Sequence, residues 1–265
     1  MPAPSFSLAL PEAVVVSGAS SGLGNGLCRL LVASGVHTIG VDLAKAPADL
    51  AGLSGYSHVA GDVAEEATWR SVTATLDTAN PRTIGLVTSA AILDVGDILD
   101  FSKESIERTL RVNVVGTALA IKALLPPMLK RGGGQIVAVA SVDATFAEQQ
   151  LAVYAASKAA VRQLARTVAM DHARAGIRVN VLSPGPMMAG LFMRHLQSAA
   201  DPERFLAARS ARQPSGKILD ADDVARAAMF LLSEGSSALN GADVIADGGL
   251  TASFDFRTGA EGASV

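Results

Sequence analysis

Hydrophobic positions in this chain follow two rhythms. Short runs rich in β-branched residues alternate with longer amphipathic or Ala-rich segments. The runs are Ala13 to Ser17, His37 to Asp42, Ser57 to Gly61, Ile84 to Ser89, Gln135 to Ser141, Ile177 to Ser183 and Asp243 to Ala246. Regular alternation of such runs with helical segments marks a parallel sheet covered by helices on both faces. The pattern predicts an α/β fold, a doubly wound sheet of seven mostly parallel strands. Helices are expected near Gly22 to Ser34, Glu65 to Thr78, Lys103 to Arg131, Leu151 to Ala175 and Ala221 to Ser233. Pro47, Gly52 and Gly55 lie between Asp42 and Ser57, so any helix there is short. No internal repeat is visible.

Two stretches break the rhythm. Pro186 to Gly216 carries Met187, Met188, Leu191, Phe192 and Met193 without a strand pattern. Because it follows a strand's carboxyl end, where open α/β sheets bind ligands, it reads as a mobile substrate lid; the plainer alternative is a pair of surface helices. The tail from residue 250 to 265 ends in small, polar, Gly-containing sequence compatible with disorder, although Phe254 and Phe256 could anchor its first half.

Composition narrows the picture. A chain of 265 residues, 49% of them hydrophobic, can bury one sizeable core but is short for separate cofactor and substrate domains, so one domain over residues 1–265 is expected. A net charge of −3 with scattered basic residues offers no electrostatic footprint for nucleic acid. Cys28, the single cysteine, excludes an internal disulfide framework and fits a reducing compartment. No basic segment precedes the mildly apolar start, and no uninterrupted apolar run reaches bilayer length. The expectation is a cytoplasmic protein with no membrane partner. His37, His58, His172 and His195 lack ligand-like neighbours at helical spacing, so no metal site is expected.

The chemistry starts at Ser17-Gly18-Ala19-Ser20-Ser21-Gly22-Leu23-Gly24, which follows Val14-Val15-Val16 and opens a helix. Glycines in a strand-to-helix turn let backbone approach a pyrophosphate, and the helix amino terminus offers free N–H groups with a positive dipole end. A tight turn before a packed helix is the alternative. Asp42, 18 residues beyond Gly24 at the end of the second run, strengthens the phosphate-cradle reading because an acidic residue there can bond the adenosine ribose. That combination describes a Rossmann-like dinucleotide site, with Gly18, Ser20, Ser21, Gly22, Leu23, Asp42 and Leu43 as expected contacts. A carboxylate repels a 2′-phosphate, and neither Ser21 nor Leu43 supplies a positive charge, so NAD is favoured over NADP. Lys45 could swing toward a phosphate and weaken that preference.

Tyr154 and Lys158 are four apart in an Ala-rich helical segment and so share one face. A free tyrosine has a pKa near ~10, and a neighbouring ammonium favours its phenolate as a proton acceptor. Such pairs are commonly mere surface neighbours. Ser141 changes this, ending a strand 13 residues before Tyr154, where strand end and following helix can converge. Asn113, in Val112-Asn113-Val114-Val115-Gly116, is a polar residue inside an apolar helical stretch; a buried structural asparagine is the generic reading.

Together the Gly-x-x-x-Gly-x-Gly turn and the Ser141, Tyr154-x-x-x-Lys158 set resemble the single-domain branch of the short-chain dehydrogenase/reductase family, over Val14 to Gly249. The resemblance implies that Asp62 and Val63 contact adenine, the competing view being that Asp62 only caps a turn. It also implies that Ser141 holds the substrate oxygen and that Asn113 holds a water beside Lys158 in a proton path from Tyr154 to solvent. Lys158 would reach the nicotinamide ribose. The turn Ser183-Pro184-Gly185-Pro186 would lie against the nicotinamide, with Pro184, Gly185 and backbone of Met187 in contact. Two departures stand out: Thr88-Ser89-Ala90-Ala91 replaces the usual Asn-Asn-Ala-Gly, leaving Ala90 and Ala91 as backbone contacts, and Ala189 replaces a common threonine.

The implied activity is NAD-dependent hydride transfer between a secondary alcohol and its ketone, with Tyr154 as general acid/base. Substrate contacts are expected from Ser141, Asp143, Gln149, Tyr154, Met188 and Phe192, with Ala144, Glu148, Gln150, Met187 and Leu191 as further pocket candidates. Methionines suit an apolar, deformable substrate body, while Asp143 or Gln149 could bind a second hydroxyl. Cyclic or steroid-like alcohols fit. Ala155, Ala156, Ala159 and Ala160 would let another helix approach closely, and relatives' habits imply a homotetramer, with a dimer second. The rivals are an enoyl reductase or epimerase on a related fold, against which the Tyr-Lys spacing and chain length argue, and a non-catalytic NAD sensor.

Overall fold

The computed structural model describes residues 8–252. Seven strands form one parallel sheet in the order β3-β2-β1-β4-β5-β6-β7. They are β1 (Ala13–Ser17), β2 (His37–Asp42), β3 (Tyr56–Ala60), β4 (Ile84–Thr88), β5 (Gly134–Val139), β6 (Ile177–Pro184) and β7 (Asp243–Ala246). Each lies within one or two residues of the run that predicts it.

The central strand shows why this sequence makes a two-faced sheet. Side chains alternate along a strand. In β1, Ala13 and Val15 therefore enter one core with Ile39, Leu86 and Val179, while Val14 and Val16 enter the other with Leu27 and Leu31. Helices α2 (Glu66–Ala79), α4 (Gly116–Lys130) and α5 (Ala152–His172) cover the first face through Trp69, Leu124 and Val161. Helices α1 (Gly22–Ala33) and α8 (Ala221–Leu232) cover the second through Leu27 and Leu231. Burying each such large side chain contributes roughly 1.5–3 kcal/mol. The two cores dominate the stability of the fold.

Successive crossovers leave β1 in opposite directions, toward β2 on one side and β4 on the other. The register sets Ser17 beside Thr88, so the two strands end level and open a crevice between their carboxyl ends.

Three features differ from the sequence pattern. The single helix expected from Lys103 to Arg131 is α3 (Lys103–Leu110), a π-helical turn (Arg111–Val115) and α4. The whole rod, Lys103–Lys130, is long and apolar enough for a membrane span by length and composition, although Arg111 and Lys122 interrupt its apolar run. Its hydropathy has a local explanation: Ala120, Leu124 and Met128 are fully buried in the first core. The irregular stretch after β6 contains two helices, α6 (Gly190–Ser198) and α7 (Pro202–Ala211), joined by Asp201, whose side chain accepts from the Arg204 amide and caps α7. Phe254, Phe256 and most of the expected tail lie outside the described residues.

Candidate active site

The crevice deepens into a cleft of about 510 Å³ running from Asp42 and Leu43 to the α6–α7 segment. At one end, the turn between β1 and α1 is built by close backbone packing. Gly18 has φ +71°, and a Cβ there would lie 2.8 Å from the Ala90 nitrogen. A Cβ on Gly24 would come within 2.1 Å of the Gly18 carbonyl oxygen. No side chain caps α1, whose first turn also lacks an acidic residue. Its leading N–H groups are thus left to an anion, and the turn fits a pyrophosphate.

Asp42 is held by two backbone donors: Ser20 N–H to Oδ2 at 3.0 Å and Ala44 N–H to Oδ1 at 2.9 Å. The Ser20 hydroxyl donates to the Lys45 carbonyl at 3.0 Å, tying the following loop to the glycine turn. On the other side His58 Nε2 lies 2.9 Å from the Ala44 carbonyl, which can only accept, so Nε2 carries the proton and Nδ1 accepts from the Tyr56 hydroxyl at 3.0 Å. Leu43 is 74% exposed at the cleft mouth. Lys45 is exposed and does not line the cleft. Asp62 is held in a turn at the cleft wall. It lines the cleft beside Val63, and its carboxylate caps the turn at Ala64 and pairs with Arg111 at 2.8 Å.

Around the end of β4, Ala90 and Ala91 line the cleft, and Ser17 Oγ accepts from the Ala90 amide at 3.2 Å. Thr88 Oγ1 is buried with no partner, which is where the departure from the usual asparagine tells. Asn113 sits at 0% exposure in the π turn and does not line the cleft. Its Oδ1 accepts from Ile92 N–H at 2.8 Å, and Nδ2 donates to Ile92 O at 3.0 Å and to Ser157 Oγ at 2.9 Å. The side chain clamps the β4 loop to α5. Both amide hydrogens are engaged, and the main-chain carbonyl accepts from Thr117 Oγ1 at 2.8 Å.

Ser141, Tyr154 and Lys158 line the middle of the cleft together. Ser141 follows β5 and caps a one-turn 3₁₀ helix, while the other two lie one turn apart on α5. Lys158 Nζ donates to the Val139 carbonyl at 2.9 Å and lies 5.8 Å from the Tyr154 ring centre. Burial pushes the Lys158 ammonium down to about 8, so it is charged at neutral pH. Tyr154 differs from the expectation of an acidified phenol: burial raises it above its ordinary value, the Asp143 carboxylate raises it further, and Ser141 pulls the opposite way. Burial and the Asp143 and Glu148 carboxylates therefore favour neutral phenol.

Pro184, Gly185 and Met187 close the cleft's far wall, and a Cβ on Gly185 would lie 2.8 Å from that of Asp247. Ala189 precedes α6 without a side-chain cap, and Gly190 lies over Gly22, whose added Cβ would stand 3.1 Å from the Gly190 Cα. The start of α6 thus touches the glycine turn. Of the expected substrate contacts, Asp143 and Phe192 line the cleft together with Glu148 and Leu191, whereas Gln149 is exposed and Met188, whose main-chain N–H donates to the Leu219 carbonyl, does not line it. Sequence reasoning missed Arg194, His195, Phe205 and Arg209, which line the cleft from α6 and α7. Arg209 pairs with Glu148 at 2.5 Å and covers the Phe205 ring at 5.1 Å. Alternating charge on α7 gave no hint of which face turned inward. Among the described residues no three His, Cys, Asp or Glu side chains gather as a metal site.

Residues 18–251 match a family model described as enoyl-(acyl carrier protein) reductase. The chain is 32% identical over 249 residues to 2-(S)-hydroxypropyl-CoM dehydrogenase 3 of Xanthobacter autotrophicus, covering 91% of this chain and 97% of that one. It is 33% identical over 242 residues to galactitol 2-dehydrogenase (L-tagatose-forming) of Cereibacter sphaeroides, covering 89% and 93%. Among solved structures, gluconate 5-dehydrogenase of Burkholderia cenocepacia in complex with NADP and tartrate superposes with a TM-score of 0.82 at 31% identity, over 91% of this chain and 95% of that one. On this evidence the chain belongs to the short-chain dehydrogenase/reductase family and is an oxidoreductase of that family.

Proposed function

We propose that the protein is an NAD-dependent dehydrogenase that interconverts a secondary alcohol and its ketone. The observation that carries this reading is the single cleft lined by the glycine turn, Asp42, Ser141, Tyr154 and Lys158. The glycine turn and the α1 amino terminus would hold the pyrophosphate, Asp42 the adenosine ribose, and Pro184 to Met187 the nicotinamide side. The Asp42 carboxylate, fixed by two amides, would repel a 2′-phosphate, which supports NAD over NADP. The bound nicotinamide supplies the hydride acceptor or donor, and in its oxidised form a positive charge.

Tyr154 takes the alcohol proton during oxidation and returns it during reduction, while Ser141 holds the reacting oxygen. Lys158, whose Nζ lies 5.8 Å from the Tyr154 ring centre, would as an ammonium favour the phenolate. Asn113 keeps α5 registered on the β4 loop through Ser157, one residue from Lys158. We extend the proposal to a homo-oligomer through the outer face of α5, where Ala156 and Ala160 are exposed; a monomeric mass in solution would rule it out.

The family model's description favours one other reading, reduction of an enoyl thioester. The deciding assay mixes the protein with NAD or NADP and secondary alcohols, and with NADH and an enoyl thioester, following nicotinamide absorbance with Tyr154→Phe as control. Alcohol-dependent NADH formation that the variant abolishes is expected. Turnover of the thioester alone would replace the alcohol reading, and cofactor binding without turnover on either would favour a sensor.

A further inference from the structure

Ser141 shares its only proton. Its hydroxyl donates to Asp143 Oδ2 at 3.0 Å, and the Asp143 amide returns a bond to Ser141 Oγ at 3.2 Å. Asp143 lines the cleft with Tyr154 and the lid residues. Burial pushes its carboxyl up to about 6 and Glu148 pushes the same way, while the Ser141 bond and Arg209 pull down. As a carboxylate it accepts only, and Ser141 is the donor to it. Glu148 pairs with Arg209 through Oε1, whereas Asp143 is the carboxylate bonded to Ser141.

This arrangement sets a condition on the substrate. A hydroxyl that must donate to the reacting oxygen has no hydrogen to give while Asp143 holds it. A second substrate hydroxyl on the adjacent carbon would relieve that, because the 3.0 Å between Ser141 Oγ and Asp143 Oδ2 is about the separation of two gauche oxygens on neighbouring carbons. We propose that Asp143 is a specificity-determining residue that accepts a hydrogen bond from a hydroxyl vicinal to the reacting carbon, so that the substrate is a vicinal diol or, in reverse, an α-hydroxy ketone. When the diol binds, its second hydroxyl donates to Asp143 Oδ2, and the Ser141 hydroxyl turns to donate to the reacting oxygen. A monoalcohol leaves the carboxylate to Ser141. Sites built to bond a substrate hydroxyl reject analogues that lack it far more strongly than apolar pockets reject a missing methylene.

The inference rests on the dehydrogenase reading, so its test uses two readouts on matched pairs, such as 1,2-cyclohexanediol with cyclohexanol and 2,3-butanediol with 2-butanol. Turnover with NAD gives the ratio of kcat/KM within each pair, and NADH fluorescence gives binding of the same alcohols to the enzyme–NADH complex. The wild type is expected to favour the diol by about 10²-fold or more in turnover and to bind it more tightly. Asp143→Ala should bring both ratios to within about threefold, with Asp143→Asn, which keeps the shape and a neutral acceptor, lying between. Equal binding within each pair, or a diol preference that survives Asp143→Ala, overturns the inference whatever the turnover. Asp143-dependent diol binding without turnover keeps it and removes the catalytic reading instead.

Discussion

The two ends of the cleft are made of different materials. The adenosine end is backbone packed on backbone: Gly24 against the Gly18 carbonyl, Gly18 against Ala90, and Asp42 held by two amides. The substrate end is side chain against side chain, with Glu148 paired to Arg209, Arg209 over Phe205, and Asp143 bonded to Ser141. Backbone packing tolerates no added atom, whereas long charged side chains can exchange partners. The contrast suits a cleft that holds one constant ligand and one that varies between relatives.

The sharpest way to break this comparison is Gly24→Ala. Its Cβ would stand 2.1 Å from a backbone oxygen that cannot move alone, so stability should fall by about 3 kcal/mol or more, read by denaturant unfolding, with loss of NAD binding. Asp42→Ala comes next. Removing a charge-assisted contact to the ribose is expected to weaken NAD by ~1.5–3 kcal/mol and NADP by much less, read as a change in the ratio of their dissociation constants.

Asp143→Asn probes the other end through pH. A carboxyl raised to about 6 in the folded protein, from 3.8, binds a proton there when the unfolded chain does not, so its contribution to stability falls as pH rises through that window. The variant should be the more stable protein above pH 6 by about 1–2 kcal/mol after allowance for solvent screening, with the gap narrowing toward pH 4, read from melting curves. Arg209→Ala should have the smallest effect. Its partner is part-exposed, so stability should change by less than about 1 kcal/mol while KM for the alcohol rises a few-fold. A large loss of stability there would erase the distinction between the two ends.

Much of the fold was legible because parallel strands buried on both faces must be apolar throughout, as in Val14-Val15-Val16, and each is bounded by a turn. The continuous Lys103 to Arg131 pattern concealed its π turn, since the apolar residues from Val112 to Ile121 cover so much of the helix surface that a shift of its face leaves no trace. At the site, the glycine turn, Asp42, Tyr154 and Lys158 were legible from spacing. Gln149 and Arg209 were not, because neighbours in a loop point apart and a surface helix such as α7 chooses its inner face by packing.

The sequence by itself determined the alternation of strands and helices, the glycine cradle, and the set of Ser141, Tyr154 and Lys158, because each depends on short-range spacing and residue chemistry. Only the tertiary structure decided that Asn113 clamps Ile92 to Ser157, that burial raises Tyr154, and that Asp143 holds the Ser141 proton. These depend on what lies across the cleft and how little water reaches it, and both are set by the packing of segments distant along the chain.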